Sequence, residues 1–216
     1  MANPIVTDVD GDGRREIFAW ASAPEDEYTN AVSSGGRIVQ LDYQGNEVTN
    51  FDAGDGLLAC STVDLDGDGK QEIACADYEG YVYLLGADLK LRRKVQVLQR
   101  PLDRKALYTM VSPISVQAAR LMPGPGQQLV LACAKHKRYS YKNPGHTDQS
   151  PDQMAWEDLR IAVLGRNLRV LASFRVADER RQQFNWSVRI ADVDGDGLDE
   201  IISLTDKVQI LEFRPR

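Results

Sequence analysis

The stretch Asp64-Leu-Asp-Gly-Asp-Gly-Lys-Gln-Glu-Ile73 is the strongest structural signal in the sequence, because the chain repeats it. Asp8–Ile17 and Asp192–Ile201 align with it without a gap, with Asp at positions 1, 3 and 5, Gly at position 6 and Glu at position 9. Self-similarity of this kind is the signature of a repeat architecture, in which each copy supplies one supersecondary unit. The fold is therefore predicted from this turn and its flanks.

A fourth, altered copy lies between the second and third acidic turns. The spacing of the first two copies, carried forward from Asp64, reaches Arg120, where the chain reads Arg120-Leu-Met-Pro-Gly-Pro-Gly-Gln-Gln-Leu129. The Gly/Pro turn and the apolar residues after it are kept, but every acidic residue is replaced. We interpret this segment as a repeat that has kept its hairpin and lost its metal.

Short apolar stretches flank each turn, and they are rich in β-formers and too short for helices. Those before the turns predict strand A over Pro4–Thr7, Leu57–Val63, Ser115–Ala119 and Trp186–Ala191. Those after the turns predict strand B over Ile17–Ala21, Ile73–Ala76, Leu129–Ala134 and Ile201–Leu204. Strand C is predicted over Arg37–Leu41, Tyr81–Leu85, Arg160–Leu164 and Lys207–Leu211, and strand D over Glu47–Phe51, Leu91–Leu98 and Val170–Val176.

Four-stranded antiparallel units that recur every 40 to 55 residues, roughly, are typical of propeller blades. We predict one all-β domain of about four such blades, with repeats over approximately 1–56, 57–112, 113–184 and 185–216. A blade cannot bury both of its faces alone, so neighbouring blades must stack. The last repeat lacks strand D, which favours an open arc from a larger propeller over a four-bladed ring or a half that pairs with another chain.

The motif D-x-D-x-D-G-x-x-E-I at an A–B turn resembles the FG-GAP/VCBS repeat family, which includes the propellers of integrin α-subunits and many bacterial surface or secreted proteins. The repeats also resemble those of the rhamnogalacturonan lyase family. The resemblance implies a β-propeller, calcium sites and an extracellular or periplasmic location, but no single activity. Its specific residues are confined to the three acidic turns.

The acidic turns have the ligand chemistry of calcium, which prefers about six to eight oxygen ligands. Carboxylates at alternate positions let a short loop wrap one ion, and a donor set without His or Cys favours calcium over zinc or copper. Glycine at position 6 (Gly13, Gly69 and Gly197) permits the sharp reversal of the chain. The predicted ligands of three calcium ions are the carboxylates of Asp8, Asp10, Asp12, Glu16, Asp64, Asp66, Asp68, Glu72, Asp192, Asp194, Asp196 and Glu200, with the position-7 backbone carbonyls of Arg14, Lys70 and Leu198.

The turns have two alternative interpretations, an EF-hand and an acidic turn without an ion. An EF-hand needs flanking helices and an acidic ligand at position 12. Position 12 is Ala19, Cys75 or Ser203 here, and the predicted flanks are strands, so an EF-hand is rejected. An acidic turn without an ion is the other interpretation, and three copies in one register disfavour it.

The three cysteines, Cys60, Cys75 and Cys133, form no C-x-x-C pair, which disfavours a zinc site or a disulfide scaffold. Cys60 and Cys75 flank the second turn and are placed to face each other across adjacent strands. Small buried thiols are nevertheless the interpretation that we favour for these residues.

Charge and hydropathy restrict the partners. The net charge is −6, and the carboxylates of the acidic turns outnumber that charge, so the acidity is local and no nucleic-acid surface is indicated. Apolar runs such as Tyr81–Leu85 are far too short to span a membrane. No signal-peptide pattern precedes Asp8, which does not decide the compartment.

The B–C connections Ser22–Gly36 and Lys135–Asp158 are long, and a meander blade places them on the face opposite the acidic turns. Long loops on a rigid scaffold often carry binding sites. The first contains Glu25-Asp26-Glu27, and the second is basic and rich in tyrosine. We expect them to bind a protein or carbohydrate ligand, while solvated insertions remain the alternative. Further blades or another chain are also candidate partners.

Two classes of function follow. The first is a non-catalytic, calcium-stabilised scaffold for binding or adhesion, to which no catalytic residue is assigned. The second, by family resemblance, is part of a polysaccharide-active enzyme similar to the rhamnogalacturonan lyases. Only His136, Lys137, Tyr139 and His146 form a candidate acid/base cluster for it.

Overall fold

The computed structural model describes residues 4–22, 35–54, 56–99, 108–139, 153–177, 187–204 and 208–213. Within these ranges the chain forms fifteen strands, one short 3-10 helix and no α-helix. Every strand pairing is antiparallel, and each sheet follows the order of the chain. The predicted all-β, propeller-type array is therefore confirmed.

The four sheets are named blades 1 to 4. Blade 1 contains β1 (Ile5–Thr7), β2 (Glu16–Ser22), β3 (Gly36–Leu41) and β4 (Glu47–Asp52), and blade 2 contains β5 (Leu57–Val63), β6 (Glu72–Asp77), β7 (Tyr81–Leu85) and β8 (Leu91–Gln96). Blade 3 contains β9 (Tyr108–Ala119), β10 (Gln128–Tyr139), β11 (Gln153–Gly165) and β12 (Arg169–Ala177), with a 3-10 helix at Arg166–Leu168. Blade 4 contains β13 (Ser187–Ala191), β14 (Glu200–Leu204) and β15 (Val208–Leu211).

Hydrophobic layers between successive blades form the core. Successive side chains of a strand point to opposite faces of its sheet, so one strand can supply two layers. In β6, Ile73 packs with Phe18 of blade 1, while its neighbour Ala74 belongs to the layer that contains Leu129 of blade 3. A third layer joins blade 3 to Val188 and Ile201 of blade 4. Full burial of a side chain such as Phe18 or Leu129 stabilises the fold by about 1.5–3 kcal/mol.

Blade 3 is longer than the sequence predicts. Its strand β10 pairs with β9 and β11 as far as Tyr139, so the prediction that Lys135–Asp158 is entirely a loop is wrong. Residues 135–139 and 153–158 are strand, and residues 140–152 lie outside the described part of the chain. Register shifts near Cys133 interrupt the alternation by which a strand is recognised in sequence, and pairing with neighbours overrides the local polarity.

The other long connection is bounded by two paired strand residues. Ser22 ends β2 and is paired with Gly36, which begins β3. Residues 23–34, with the acidic segment around Glu25, lie outside the described residues.

A disulfide joins Cys60 and Cys75, so the interpretation of these two residues as buried thiols is wrong. They lie directly opposite each other on β5 and β6, which brings their side chains together across the sheet. The interpretation is correct for Cys133, which is free and buried.

Candidate metal centres

Four turns occupy equivalent places in the blades, each joining the first strand to the second. Turns 1, 2 and 4 are the acidic ones, and turn 3 is the altered copy. Their bounds are Asp8–Glu16, Asp64–Glu72, Arg120–Gln128 and Asp192–Glu200 for turns 1 to 4. Each turn enters the second strand of its blade at one end. The connections β2–β3 and β10–β11 begin at the other end of that strand, as predicted for the long loops.

The position-1 aspartate organises each acidic turn. In turn 1, Asp8 Oδ1 accepts the backbone N–H of Gly11 at 2.7 Å, and Oδ2 accepts that of Gly13 at 2.9 Å. Asp64 and Asp192 make the same two bonds in turns 2 and 4, over 2.6–3.1 Å. The turn is thus wrapped around a carboxylate, which holds the other acidic side chains on one side.

The remaining carboxylates are also held by backbone donors. The position-3 aspartate accepts the position-5 N–H, and the position-5 aspartate accepts the position-7 N–H, over 2.7–3.2 Å in all three turns. The position-9 glutamate reaches back through Oε2 to the position-2 N–H, at 2.8 Å in turns 1 and 4 and 3.1 Å in turn 2. Each of these carboxylates has a second oxygen that does not take part in that bond and is oriented to act as a ligand for a cation.

Three acidic groups bring ligand atoms within 4.8 Å of one another and can hold a metal ion. They are Asp8, Asp10 and Glu16; Asp64, Asp66 and Asp68; and Asp192, Asp194 and Glu200. Of the predicted carboxylates, Asp12, Asp196 and Glu72 fall outside these groups. The position-7 carbonyls of Arg14, Lys70 and Leu198 remain predicted ligands.

Glycine is required at position 4 as well as at position 6. Gly11, Gly67 and Gly195 have φ of +79°, +78° and +81°, a conformation that other residues adopt only with strain. The requirement at position 6 was predicted from the sequence, and the one at position 4 was not. The recurrence of glycine there in all three acidic copies was the available signal.

The electrostatics of turn 2 favour a cation. Burial raises the pKa of Glu72 above its ordinary value, and the charges of Asp66, Asp68 and Asp64 raise it further. The backbone N–H of Leu65 opposes this effect only in part. An ionised Glu72 therefore lies among like charges, and a cation would relieve that repulsion.

The disulfide Cys60–Cys75 encloses turn 2 within a segment of sequence separation 15. In a chain-entropy model, a loop of about this size stabilises the fold by roughly 3 kcal/mol. Turn 2 is therefore closed covalently as well as through its carboxylates.

Turn 3 keeps one hydrogen bond of the acidic turns without their charge, although its positive-φ glycines, Gly124 and Gly126, lie at positions 5 and 7. Gln128 occupies position 9, is buried, and accepts the N–H of Leu121 through Oε1 at 2.8 Å, as the glutamates do for position 2. An amide makes this bond but cannot supply the charge of a carboxylate. Among the described residues, no acidic group of the kind found in the other turns includes turn 3.

Backbone hydrogen bonds link the four turns in series. The position-8 N–H of each later turn donates to the carbonyl at position 1 or 2 of the turn before it. The three bonds run from Gln71 to Val9 (2.8 Å), from Gln127 to Asp64 (2.6 Å) and from Asp199 to Arg120 (2.8 Å). The side chains of Gln127 and Asp199 also accept the N–H groups of Asp64 and Arg120. We call this contact of the position-8 residue with the preceding turn the clasp.

A second polar cluster joins side chains of strands β10, β11 and β12 in blade 3. Asp158 Oδ1 accepts Arg160 Nε and Arg175 Nε, each at 2.8 Å, and its Oδ2 lies 3.4 Å from Lys135 Nζ. Burial raises the pKa of Asp158, but the hydrogen bonds and charges of Arg160 and Arg175 outweigh it, so the pKa lies below its ordinary value. Sequence reasoning missed this cluster, because strand pairing brings its members together.

The candidate acid/base residues belong to the end of strand β10 and to the connection that follows it in the sequence. His136, Lys137 and Tyr139 belong to β10, whose backbone is described there, and His146 lies outside the described residues. None of the described residues belongs to a helix long and apolar enough to cross a membrane.

Comparison with known proteins relates the fold to polysaccharide lyases. No protein-family model matches the chain, and no curated protein matches it. The chain is similar to the exotype rhamnogalacturonan lyase YesX (TM-score 0.55) and to a rhamnogalacturonan lyase of Bacillus licheniformis (TM-score 0.56), at 18% identity in each case. These alignments cover 94% of this chain but 39% and 40% of the lyases, so the chain spans about two fifths of their length. At this identity the likeness shows a shared fold alone.

Proposed function

We propose that the chain is a calcium-binding repeat module of the FG-GAP/VCBS type. The observation that supports this most is the identical hydrogen-bonded frame of turns 1, 2 and 4, which gathers acidic side chains within 4.8 Å three times. Acidic residues scattered over a surface would not share one set of backbone donors. Hard oxygen ligands favour calcium over softer metals, and a crowded carboxylate cage suits magnesium less well.

We propose that each ion stabilises its turn and, through the turn, the packing of neighbouring blades. The carboxylates repel one another without a cation, and a bound ion would turn that repulsion into attraction. Because the clasp joins each turn to the one before it, an ordered turn also supports the stacking of its neighbours. Metal binding of this kind adds directly to folding stability.

The test is calcium titration of the chelator-treated protein by isothermal calorimetry, with a thermal melt at each end point. We expect three ions per chain and a melting temperature that falls on chelation and recovers with calcium. Magnesium at the same concentration should restore less of the stability. No change in melting temperature at saturating calcium would contradict the metal assignment.

On this scaffold we propose a non-catalytic role in binding a protein or a carbohydrate through the face opposite the turns. The cluster around Asp158 in blade 3 supports this proposal, since the three cations Lys135, Arg160 and Arg175 outnumber its one carboxylate and leave it with a net positive charge. A cationic site of this kind suits an anionic ligand. Binding to arrays of acidic and neutral polysaccharides, compared with the K135A variant, would test it.

A second candidate is a propeller portion of a polysaccharide-active enzyme, which the likeness to two lyases favours. A lyase leaves a new carbon–carbon double bond conjugated to the uronate carboxyl. Incubation with rhamnogalacturonan in calcium, followed by ultraviolet absorbance, tests this directly. A product that absorbs would favour the enzyme over the scaffold.

We propose an extracellular or periplasmic location for the chain. The disulfide Cys60–Cys75 supports it, because disulfides persist in oxidising compartments. Calcium is also abundant outside cells. Retention of the disulfide in protein isolated from its native source would test the location.

A further inference from the structure

The exposure of the apolar residue at position 2 of each turn depends on whether a following blade covers that residue. Val9, Leu65 and Leu121 are 0%, 4% and 2% exposed, and each packs in the layer between its own blade and the next. Val193 occupies the same place in turn 4 and is 51% exposed. The surface around Val193 of turn 4 is therefore of the kind that the next blade covers at turns 1, 2 and 3, and we call it the socket.

The outer face of blade 4 continues this exposed surface. Ile201 packs against blade 3, so its neighbour Ile202 points to the opposite face. Ile202 is paired with Ile210, and Leu204 with Val208, which places these four apolar side chains on that face. Val208 and Ile210 are 64% and 54% exposed. Contiguous apolar side chains on an exposed face are typical of an interaction site.

Blade 1 carries the complementary face. Phe18 packs towards blade 2, so Ile17 points away from it, as does its partner Val6, which is 50% exposed. In blades 2 to 4 the residue equivalent to Ile17 (Ile73, Leu129 or Ile201) packs against the preceding blade. Blade 1 thus presents the surface by which each later blade docks on its predecessor.

The clasp positions agree with this complementarity. Arg15 occupies position 8 of turn 1, the place from which Gln71, Gln127 and Asp199 clasp a preceding turn, and it is exposed. Within the described residues, no clasp reaches Asp192 or Val193 of turn 4. Docked in the same way, Arg15 would lie beside the acidic turn 4, where opposite charges favour association.

From these features we propose that two copies of the chain associate head to tail, with the outer face of blade 4 docked on the outer face of blade 1 of a second copy. The contact repeats the packing of one blade on the next that is already present three times within the chain. A second copy supplies every part that the socket needs, namely the docking face, the position-8 residue and the opposite charge. The interface is heterologous, so it closes into a ring or continues as a chain, depending on the rotation between copies.

Sedimentation velocity of the full chain in calcium, over a concentration series, tests the proposal. We expect the wild type to form dimers or larger assemblies. Ile210→Asp and Val6→Asp should each sediment as a monomer, because each places a charge in one of the two faces. Leu91→Asp is the matched control, since Leu91 is 48% exposed on blade 2, away from both faces, and should associate like the wild type.

Mixing the two variants separates head-to-tail docking from contact between identical faces. Each variant keeps the face that the other has lost, so an equimolar mixture of Ile210→Asp and Val6→Asp should form a dimer and nothing larger. Arg15→Glu, a substitution at an exposed residue, should weaken association without unfolding, and circular dichroism with a thermal melt verifies the fold of every variant.

Three outcomes would overturn the proposal. The first is a wild type that stays monomeric throughout the series, which would assign the two faces to other occupants, such as further blades. The second is a mixture that does not associate. The third is loss of association in Leu91→Asp, which would place the contact elsewhere.

Discussion

Gln127 and Asp64 are joined by two hydrogen bonds across the boundary between blades 2 and 3. The backbone N–H of Gln127 donates to the carbonyl of Asp64 at 2.6 Å, and the N–H of Asp64 donates to Gln127 Oε1 at 3.0 Å. Asp64 organises the acidic turn 2, whereas Gln127 belongs to turn 3, which has lost its acidic residues. The altered turn is therefore a structural support for its acidic neighbour.

This relationship explains how turn 3 is held in place without ligands. Its buried Gln128 replaces the glutamate bond to position 2, and its backbone lies against turn 2 so closely that a Cβ added to Gly67 would meet the N of Gly126 at 2.5 Å. Loss of metal-binding residues is tolerated there because tertiary contacts hold the turn.

Removing one metal ligand should remove one ion. Asp66→Ala and Asp194→Ala each delete a member of one acidic group, so calorimetry should find two calcium ions instead of three. Pro123→Ala, in turn 3, is the control and should keep all three. Loss of an ion from Pro123→Ala would show that turn 3 had been interpreted wrongly.

Replacement of two equivalent glycines by alanine should lower the free energy of unfolding by different amounts. Gly67 and Gly195 both occupy position 4, with φ of +78° and +81°, so alanine brings the same backbone strain of about 1–2 kcal/mol to each. Only at Gly67 would the new Cβ also meet backbone, at 2.5 Å, whereas nothing lies within 4 Å at Gly195. Urea unfolding should therefore show a larger loss for Gly67→Ala. Equal losses would mean that blades 2 and 3 are not in this contact.

Thiol reactivity should separate the three cysteines. Burial, followed by the charge of Asp158, raises the pKa of the Cys133 thiol to about 12, so the folded protein should not react with an alkylating reagent. Unfolding without reductant should expose one thiol, and unfolding with reductant should expose three. Three reactive thiols without reductant would contradict the disulfide.

The parts of the molecule that depend on local pattern were predictable, and those that depend on contacts distant in sequence were not. The strand bounds Leu57–Val63 and Tyr81–Leu85 follow from short apolar runs beside a turn, and they are correct. The clasp at Gln127 and the cluster at Asp158 arise from pairing between segments whose own sequences look like loop. Cys60 and Cys75 were placed opposite each other, but register alone does not reveal the redox state of two thiols.

The pH dependence of stability should reveal the charge on Asp158. Its pKa is lowered in the folded protein, because the hydrogen bonds and charges of Arg160 and Arg175 outweigh the effect of burial. A carboxyl with a lowered folded pKa stabilises the protein above its unfolded pKa of about 3.9, and this stabilisation is lost as the pH falls through the folded pKa. Asn tolerates the left-handed backbone of residue 158 (φ 54°) much as Asp does, so Asp158→Asn removes the charge without changing the backbone of β11 there.

At neutral pH we expect Asp158→Asn to lower the free energy of unfolding by about 1.5–3 kcal/mol, the range for hydrogen bonds to charged groups. The difference from wild type should stay constant down to about pH 5 and shrink below about pH 4. Protonation of the acidic turns affects both proteins and cancels in the difference. Asp88→Asn is the control, because Asp88 pairs with Lys90 on the surface, where such pairs contribute little. A difference for Asp158→Asn that grows as the pH falls would reverse the sign of the argument and assign the stabilisation to a protonated carboxyl.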